Sequence, residues 1–443
     1  MAVHLNEHFT LKKLLKATYP SMLMMVFTSI YSIVDGLFVS NFVGTSAFSA
    51  VNLIYPVVMI IGSVGFMFGA GGSALVSKTL GEGDKEKANK SFSSVVLFTT
   101  ILGAIISVVV FIFIEPISIL LGATKEMLPY CKIYGKILVG AEIAFMLQNL
   151  FQNFFIVAEK PMMGFVVIVA AGLINMALDA IFIAVFKWGV VGAAVATIIA
   201  QIFGALVPIV YFARKNNKSL LHFTKPKLEF DVLFKSCTNG SSELLSNVSA
   251  SIVSIIYNKQ LLKFAGENGV ATYGVIMYAS FIFAAIFIGY SIGTAPIVGY
   301  NYGAQNHDEL KNVLKKSLII TSIFGTVMTI LSVVLASPLS KIFVSYDKEL
   351  LDMTTNAMRI FSISFIFMGV NIFTSSFFTA LNNGLVSAVV SFLRTLVFQT
   401  SAVLLLPMAF GINGIWAAII VAEGLSLVVD VIFLITKRKK YNY

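Results

Sequence analysis

Charged residues are scarce in this chain of 443 residues, at 12% of the total, whereas 58% of its residues are hydrophobic. The mean hydropathy is +0.91. Soluble domains carry about 25% charged residues, so this balance excludes a soluble globular protein. Continuous apolar runs of about 20 residues recur from end to end, which excludes the alternating pattern of a membrane β-barrel. The composition therefore predicts an all-α polytopic membrane protein.

Cysteine and histidine are also rare, and their placement argues against metal or disulfide chemistry. Cys131 and Cys237 lie far apart without a CxxC motif, so we expect free thiols, and the four histidines form no ligand cluster. Motifs of metalloproteases and serine hydrolases are missing, and the polar connections are too short for a catalytic domain. We therefore expect a protein that is not an enzyme and needs no cofactor. Nothing resembles the re-entrant filter loop of an ion channel.

Twelve apolar runs can be counted, each long enough for one membrane-spanning helix. The segment before the first run is polar and the run itself exceeds the apolar region of a secretory signal, so we expect the N-terminus to be retained. The runs cover residues 17–42, 48–77, 91–114, 127–157, 162–185, 189–213, 231–263, 270–299, 313–335, 350–381, 385–408 and 413–436.

The net charge of +10 comes from an uneven distribution of basic residues. Of the 31 lysines and arginines, 21 lie in the segments on the side of both termini and 8 in the segments on the other side. Arg359 and Arg394 lie within apolar runs. The positive-inside rule then places both termini in the cytoplasm, with the chain in the plasma membrane. The positive charge is a topology signal, so we expect no nucleic-acid partner.

The chain contains an internal repeat. A shift of 222 residues aligns ALVSKTLGEGDKEKANK, from Ala74, with PIVGYNYGAQNHDELKN, from Pro296, and also pairs Gly189 with Gly411. The halves have six helices each and begin on the same side, so we expect an axis along the membrane normal and a central cleft. The predicted division is an N-terminal lobe (1–213), a cytoplasmic linker (214–230) and a C-terminal lobe (231–443).

Two acidic residues lie in apolar runs of the first half, at similar depth. Asp35 is in the first run and Asp179 in the fifth. A carboxylate at the bilayer centre costs about 2.5–3.5 kcal/mol on insertion scales, so such residues are usually functional. If the two share a cavity, repulsion and desolvation favour uptake of a proton. Alternatively both stay ionised around Na⁺, with oxygens from Asn175 and Thr197, or each satisfies only a local contact.

Other polar residues within the runs have competing interpretations. Asn149 and Gln152 share one face of the fourth helix and could line a substrate cleft or bond between helices. Glu243, in a serine-rich part of the seventh helix, has the same alternatives. Arg394 and Glu423 are expected to form a structural ion pair. The 39 Phe, 15 Tyr and 17 Met could supply stacking surfaces for flat organic cations.

Five segments resemble those of one transporter family. They are IVDGLFVSNFVG in the first helix, SKTLGEGDKEKA after the second, LINMALDAIFI in the fifth, WGVVGAAVATIIAQ in the sixth and PIVGYNYGAQN after the eighth. Together, in this order, they resemble the MATE (multidrug and toxic compound extrusion) transporters, in their MepA-like and clostridial branch. The resemblance implies a V-shaped fold of two six-helix lobes that exports organic cations in exchange for H⁺ or Na⁺.

The resemblance also suggests roles for individual residues. Asp35 and Asp179 match the amino-lobe carboxylates tied to cation coupling, and Asn175 and Thr197 match the positions that complete the ion site. The vibrio-type branch has a further acid in the tenth helix, where this chain has Asn371, so we place coupling in the amino lobe. We expect a monomer. The alternative is a flippase for lipid-linked oligosaccharides or other lipids, for which the membrane-embedded basic residues are few.

Overall fold

The structure is a computed structural model that describes residues 4–43, 45–214, 219–225, 229–345 and 347–443. Every regular element in these ranges is a helix. In chain order they are α1 (Leu11–Phe42), α2 (Thr45–Gly81), α3 (Lys85–Leu120), α4 (Leu128–Gly140), α5 (Glu142–Val157), α6 (Pro161–Asp179) with a π-helical turn (Ala180–Val185), α7 (Val190–Ala213), α8 (Phe230–Gly303), α9 (His307–Val344), α10 (Lys348–Ser362), α11 (Phe365–Ala380), α12 (Gly384–Phe392) with a second π-helical turn (Leu393–Phe398), and α13 (Gln399–Tyr441).

These helices form the twelve predicted membrane spans. Within the described residues, eight helices are long and apolar enough to cross a membrane, and α10 with α11, bent by 49°, adds another. Helix α8 has 74 residues and contains two spans, as does the continuous helical stretch Gly384–Tyr441. The remaining span is α4 with α5, which only Ala141 separates.

Glycines mark the points where the long helices break. Gly266 interrupts α8 with a φ of 61°, and Gly411 interrupts α13 with a φ of 56° and a ψ of −141°. Gly189, the predicted counterpart of Gly411, has nearly the same conformation, with a φ of 60° and a ψ of −136°. Only glycine adopts this region at little cost, so the same sharp turn separates the last two spans of each repeat.

The third helix of each repeat begins with the same type of hydrogen bond, which confirms the duplication. Asp84 precedes α3, and its carboxylate accepts from the backbone N–H of Lys87 at 2.9 Å. Asn306, 222 residues later, precedes α9 and accepts in the same way from the N–H of Glu309 at 3.1 Å. Both are N-caps that satisfy a helix-end donor.

The chain divides into two compact units. The first contains Met1–Leu5 and Phe27–Gly240, and the second contains Asn6–Val26 and Ser241–Tyr443. The first part of α1 therefore packs with the second repeat, and the first part of α8 packs with the first repeat. The linker proposed for residues 214–230 stays a prediction.

Close backbone contacts explain this exchange of helices. In the first unit, a Cβ on Gly71 of α2 would overlap the carbonyl oxygen of Ser236 in α8. In the second unit, a Cβ on Gly293 of α8 would lie 3.1 Å from the Cα of Thr18 in α1. Gly293 follows Gly71 by the repeat offset of 222 residues. The first helix of each repeat therefore packs tightly on the second helix of the other repeat, as the small residues permit.

The segment before α1 binds two glutamates. In the first unit, the His4 ring lies 2.6 Å from Oε2 of Glu159, and the Leu5 N–H donates to Oε1 at 2.8 Å. In the second unit, the His8 ring lies 2.6 Å from Oε2 of Glu309. The N–H of Phe9, whose side chain is fully buried, donates to Oε1 of Glu309 at 2.9 Å. Each glutamate is thus held by a histidine ring and by the backbone N–H of the residue that follows that histidine.

Candidate functional site

Asp35 and Asp179 interact directly inside the first unit. Asp35 lies in the second half of α1, and Asp179 is the fully buried last residue of α6. Their side chains interact with each other, and neither oxygen of Asp179 has a hydrogen-bond donor among the described residues. An ionised carboxylate only accepts hydrogen bonds, so the two carboxyl groups could bond to each other only if one of them carried a proton.

The backbone at Asp179 is unusual. The helix changes from α to π geometry at Ala180, so Asp179 is the last residue held by the regular α pattern. Insertions of π geometry often occur at functional sites, because they rotate one side chain relative to the regular helix. Asn175 lies one turn before Asp179 and is 3% exposed, and its amide nitrogen has no acceptor among the described residues. The buried face of α6 thus offers a carboxylate and an amide.

Two tyrosines complete the surroundings of the acid pair. Tyr31 precedes Asp35 by one turn of α1, and Tyr134 of α4 is 5% exposed. Both are electrostatic neighbours of Asp35, and Tyr134 is also a neighbour of Asp179. Thr197 lies on α7, which packs along α6, and its hydroxyl donates to the carbonyl of Ala193 at 3.0 Å. That bond leaves the oxygen of Thr197 able to accept from a donor or to contact a cation.

Two neighbouring acids, one half-buried and one fully buried, need a positive partner. Glu115, near the C-terminal end of α3, has Lys132 at 2.7 Å, but no Lys or Arg in the described part of the chain forms an ion pair with Asp35 or Asp179. Two ionised carboxylates in a low-dielectric environment repel each other and lose hydration. Either one shared proton or one small cation would relieve both costs.

The candidate cleft residues fall into different units. Asn149 and Gln152 lie on α5 in the first unit, where Asn149 is buried and its amide donates to the carbonyl of Phe145 at 2.9 Å. Gln152 is half-buried. Glu243 lies on α8 in the second unit, and Arg394 is its electrostatic neighbour. Asn149 and Glu243 therefore belong to separate polar groups, and their role in substrate binding stays a prediction.

The predicted pairing of Arg394 with Glu423 is present in the second unit. The Nε of Arg394 donates to Oε1 of Glu423 at 3.0 Å, and Glu423 is fully buried. Asn371 donates to Oε2 of the same carboxylate at 2.6 Å and to the Glu423 carbonyl at 2.9 Å. Asn371 therefore serves as a partner of the ion pair.

No role was predicted from the sequence for two further buried acids. Glu142, at the start of α5 in the first unit, is 1% exposed, and Asp430 of α13 in the second unit is fully buried. Oε1 of Glu142 and both carboxylate oxygens of Asp430 have no hydrogen-bond partner among the described residues. The signal for Asp430 was visible as the single acid in the apolar run LSLVVDVIFLI.

A comparison with known protein families finds the same two repeats. The model of the MatE family matches residues 20–181 and 244–403, which is one match in each repeat. The chain belongs to the MatE family. The predicted resemblance to MATE transporters is thereby confirmed.

Individual MatE relatives align over nearly the whole chain. The multidrug export protein MepA of Staphylococcus haemolyticus is 25% identical over 424 residues, covering 95% of this chain and 92% of the relative. The MepA of Staphylococcus aureus (strain MSSA476) is 24% identical and covers 94% of this chain and 91% of the relative. A crystal structure of MATE in complex with MaL6 superposes with a TM-score of 0.93 at 22% identity, over 98% of both chains. This confirms the twelve-helix fold.

Proposed function

We propose that this MatE-family protein is a secondary active multidrug exporter. It would move organic cations out of a bacterial cell in exchange for H⁺ or Na⁺ bound at Asp35 and Asp179. The observation that supports this proposal most strongly is the proximity of the half-buried Asp35 to the fully buried Asp179, neither of which has a basic partner among the described residues. The relatives named as multidrug export proteins support the same class of substrate.

The acid pair suggests how transport is driven. Binding of a proton or Na⁺ changes the net charge of the pair by one unit. The affinity of the protein for an organic cation depends on that charge. The two ligands then bind to different states of the protein, which is the requirement for reciprocal coupling. Asn175 and Thr197 would contribute oxygens if the ion is Na⁺. The orientation with both termini in the cytoplasm rests on the distribution of basic residues.

A lipid-linked oligosaccharide flippase is the alternative. Such a protein needs free positive charge in the membrane to bind a pyrophosphate. Arg394 donates to Glu423 and is therefore already neutralised. Arg359 is then the one arginine of the apolar runs without an ion pair among the described residues, and a single positive charge is a poor match for a pyrophosphate, which favours the exporter.

The test is ethidium efflux from proteoliposomes with a proton gradient and a Na⁺ gradient imposed separately. Asp35→Asn and Asp179→Asn should each abolish the efflux that the wild-type protein shows with its driving ion. Glu115→Gln is the matched control, since Glu115 is an exposed acid of the same unit with its own partner, Lys132. Unchanged efflux in both aspartate variants would refute the proposal.

A further inference from the structure

A cavity of about 370 Å³ lies on the second unit between three helices. Helix α11 packs against both α9 and α13, and residues from all three line the cavity. Several of these residues, including Ser322, Thr326, Ile366 and Val431, are exposed on the protein surface. These residues lie within apolar membrane spans, so the mouth of the cavity lies at the depth of the bilayer. Its volume is within the range of pockets that hold drug-sized molecules.

Of the described residues that line this cavity, Asp430 alone is ionisable, and it is fully buried. Neither of its carboxylate oxygens has a hydrogen-bond partner among the described residues. Arg394 and Glu423 are its electrostatic neighbours, but the Nε of Arg394 already donates to Glu423. Glu243 is a further acid near the same arginine. Three acids thus surround one arginine, and Asp430 is left without a direct partner.

The other polar groups of the cavity only accept hydrogen bonds. The hydroxyl of Ser322 donates to the carbonyl of Leu318 at 2.7 Å, and that of Thr326 donates to the carbonyl of Ser322 at 3.0 Å. Each hydroxyl has a single proton, so only oxygen lone pairs remain for a ligand. The remaining lining is hydrocarbon. Such a cavity complements a molecule with a positively charged N–H donor and an apolar body.

We propose that this cavity binds protonated amphiphilic amines from the bilayer, with the ammonium group at Asp430 and the apolar part between α9 and α11. Asp430 lies behind the exposed residues, so its carboxylate has to rotate toward the cavity to meet the amine. Lys437, Arg438 and Lys439 begin about 10 Å further along α13, at the membrane surface. Asp430 therefore lies within reach of an amine whose charged group stays near the headgroups. Binding here does not depend on the proposed export function.

The test uses photo-crosslinking in nanodiscs of neutral lipid. The probes are a long-chain primary amine that carries a diazirine and the alcohol of the same chain. In the wild-type protein, the amine should label peptides that contain Ser322 or Val431 and the alcohol should label them weakly. Asp430→Asn should reduce amine labelling about tenfold or more, since a charge-assisted hydrogen bond is lost, and leave alcohol labelling unchanged.

Controls separate binding from folding. Asp352→Asn removes an exposed acid of the same unit and should leave labelling unchanged. Thr326→Phe fills the exposed mouth of the cavity while Asp430 stays in place, and it should also prevent labelling. Thermal unfolding in detergent shows whether each variant is folded. Equal labelling by amine and alcohol would mean a groove for lipid chains and would overturn the proposal. Undiminished amine labelling of folded Asp430→Asn would overturn it as well.

Discussion

Asp179 and Arg394 lie where the fifth helix of their respective repeats changes from α to π geometry, and one is an acidic residue while the other is basic. Asp179 is the residue before the first π turn, and Arg394 is the second residue of the other. Arg394 is neutralised by Glu423 within its own unit, whereas Asp179 interacts with a second acid, Asp35. The two repeats therefore share a backbone and differ in electrostatics.

The first prediction concerns ion release from the acid pair. When an organic cation binds, the wild-type protein should release the ion held by Asp35 and Asp179, because the two ligands favour different charge states. Adding tetraphenylphosphonium to protein in weakly buffered detergent should then acidify the solution if the ion is H⁺. If the ion is Na⁺, tetraphenylphosphonium should bind more weakly as Na⁺ increases.

Matched variants make this measurement specific. Asp35→Asn and Asp179→Asn should each remove the proton release or the dependence on Na⁺, while Glu115→Gln should retain it. Asparagine keeps the shape of the side chain and removes its ionisation. Wild-type release from both aspartate variants would mean that the ion binds elsewhere.

The second prediction concerns the Arg394–Glu423 pair. Replacement of either residue alone by Met leaves a charge inside the protein without its partner, which costs about 3–5 kcal/mol. The double replacement should be less destabilising than the sum of the two, since neither charge remains. Thermal unfolding in detergent would measure the coupling. The exposed pair Glu115–Lys132 is the control, with an expected coupling of about 0–1 kcal/mol. Additive effects at Arg394 and Glu423 would contradict the prediction.

Local patterns in the sequence were enough for much of the fold. The length of the apolar runs gives the twelve spans, and the constant offset identifies Gly189 and Gly411 as equivalent before their shared backbone conformation is known. Similar depth in the first unit suggested that Asp35 and Asp179 meet. Each of these inferences needs only the position of a residue within its apolar run or the alignment of the two halves of the sequence.

Contacts between distant helices could not be predicted in this way. The sequence shows Asp430 as an acid in an apolar run, but its cavity requires α9, α11 and α13 together. The exchange of the first helices of the repeats was also missed. It depends on glycines such as Gly71 and Gly293, whose partners are far away in sequence. Small residues permit close packing, but they do not specify which helix approaches.

The third prediction tests the exchanged helix α8. A Cβ on Gly240 would overlap the carbonyl oxygen of Met67 in α2, so Gly240→Ala must push the two backbones apart. We expect a loss of about 1–3 kcal/mol, the usual cost of overpacking. Gly274→Ala is the control in the same helix, because nothing lies within 4 Å of its added Cβ. That change should stabilise the helix slightly, since alanine has the higher helix propensity. Similar melting temperatures for the two variants would argue against the close contact.

The last prediction concerns the segment before α1 and its attachment to Glu309. This carboxylate accepts hydrogen bonds from His8, from the Phe9 N–H and from Asn312. Glu309→Ala leaves these donors unpaired, and each lost bond costs about 0.5–1.5 kcal/mol. The Phe9 amide should then exchange with solvent deuterium at least several-fold faster, as measured by mass spectrometry of the N-terminal peptide. Glu349→Ala is the control, since Glu349 is an exposed acid in the first turn of α10, as Glu309 is in the first turn of α9. Both variants lose the same favourable interaction with a helix N-terminus, so faster exchange in Glu309→Ala alone isolates the contact with the segment. Unchanged exchange at Phe9 would show that burial of its side chain, rather than Glu309, holds the segment in place.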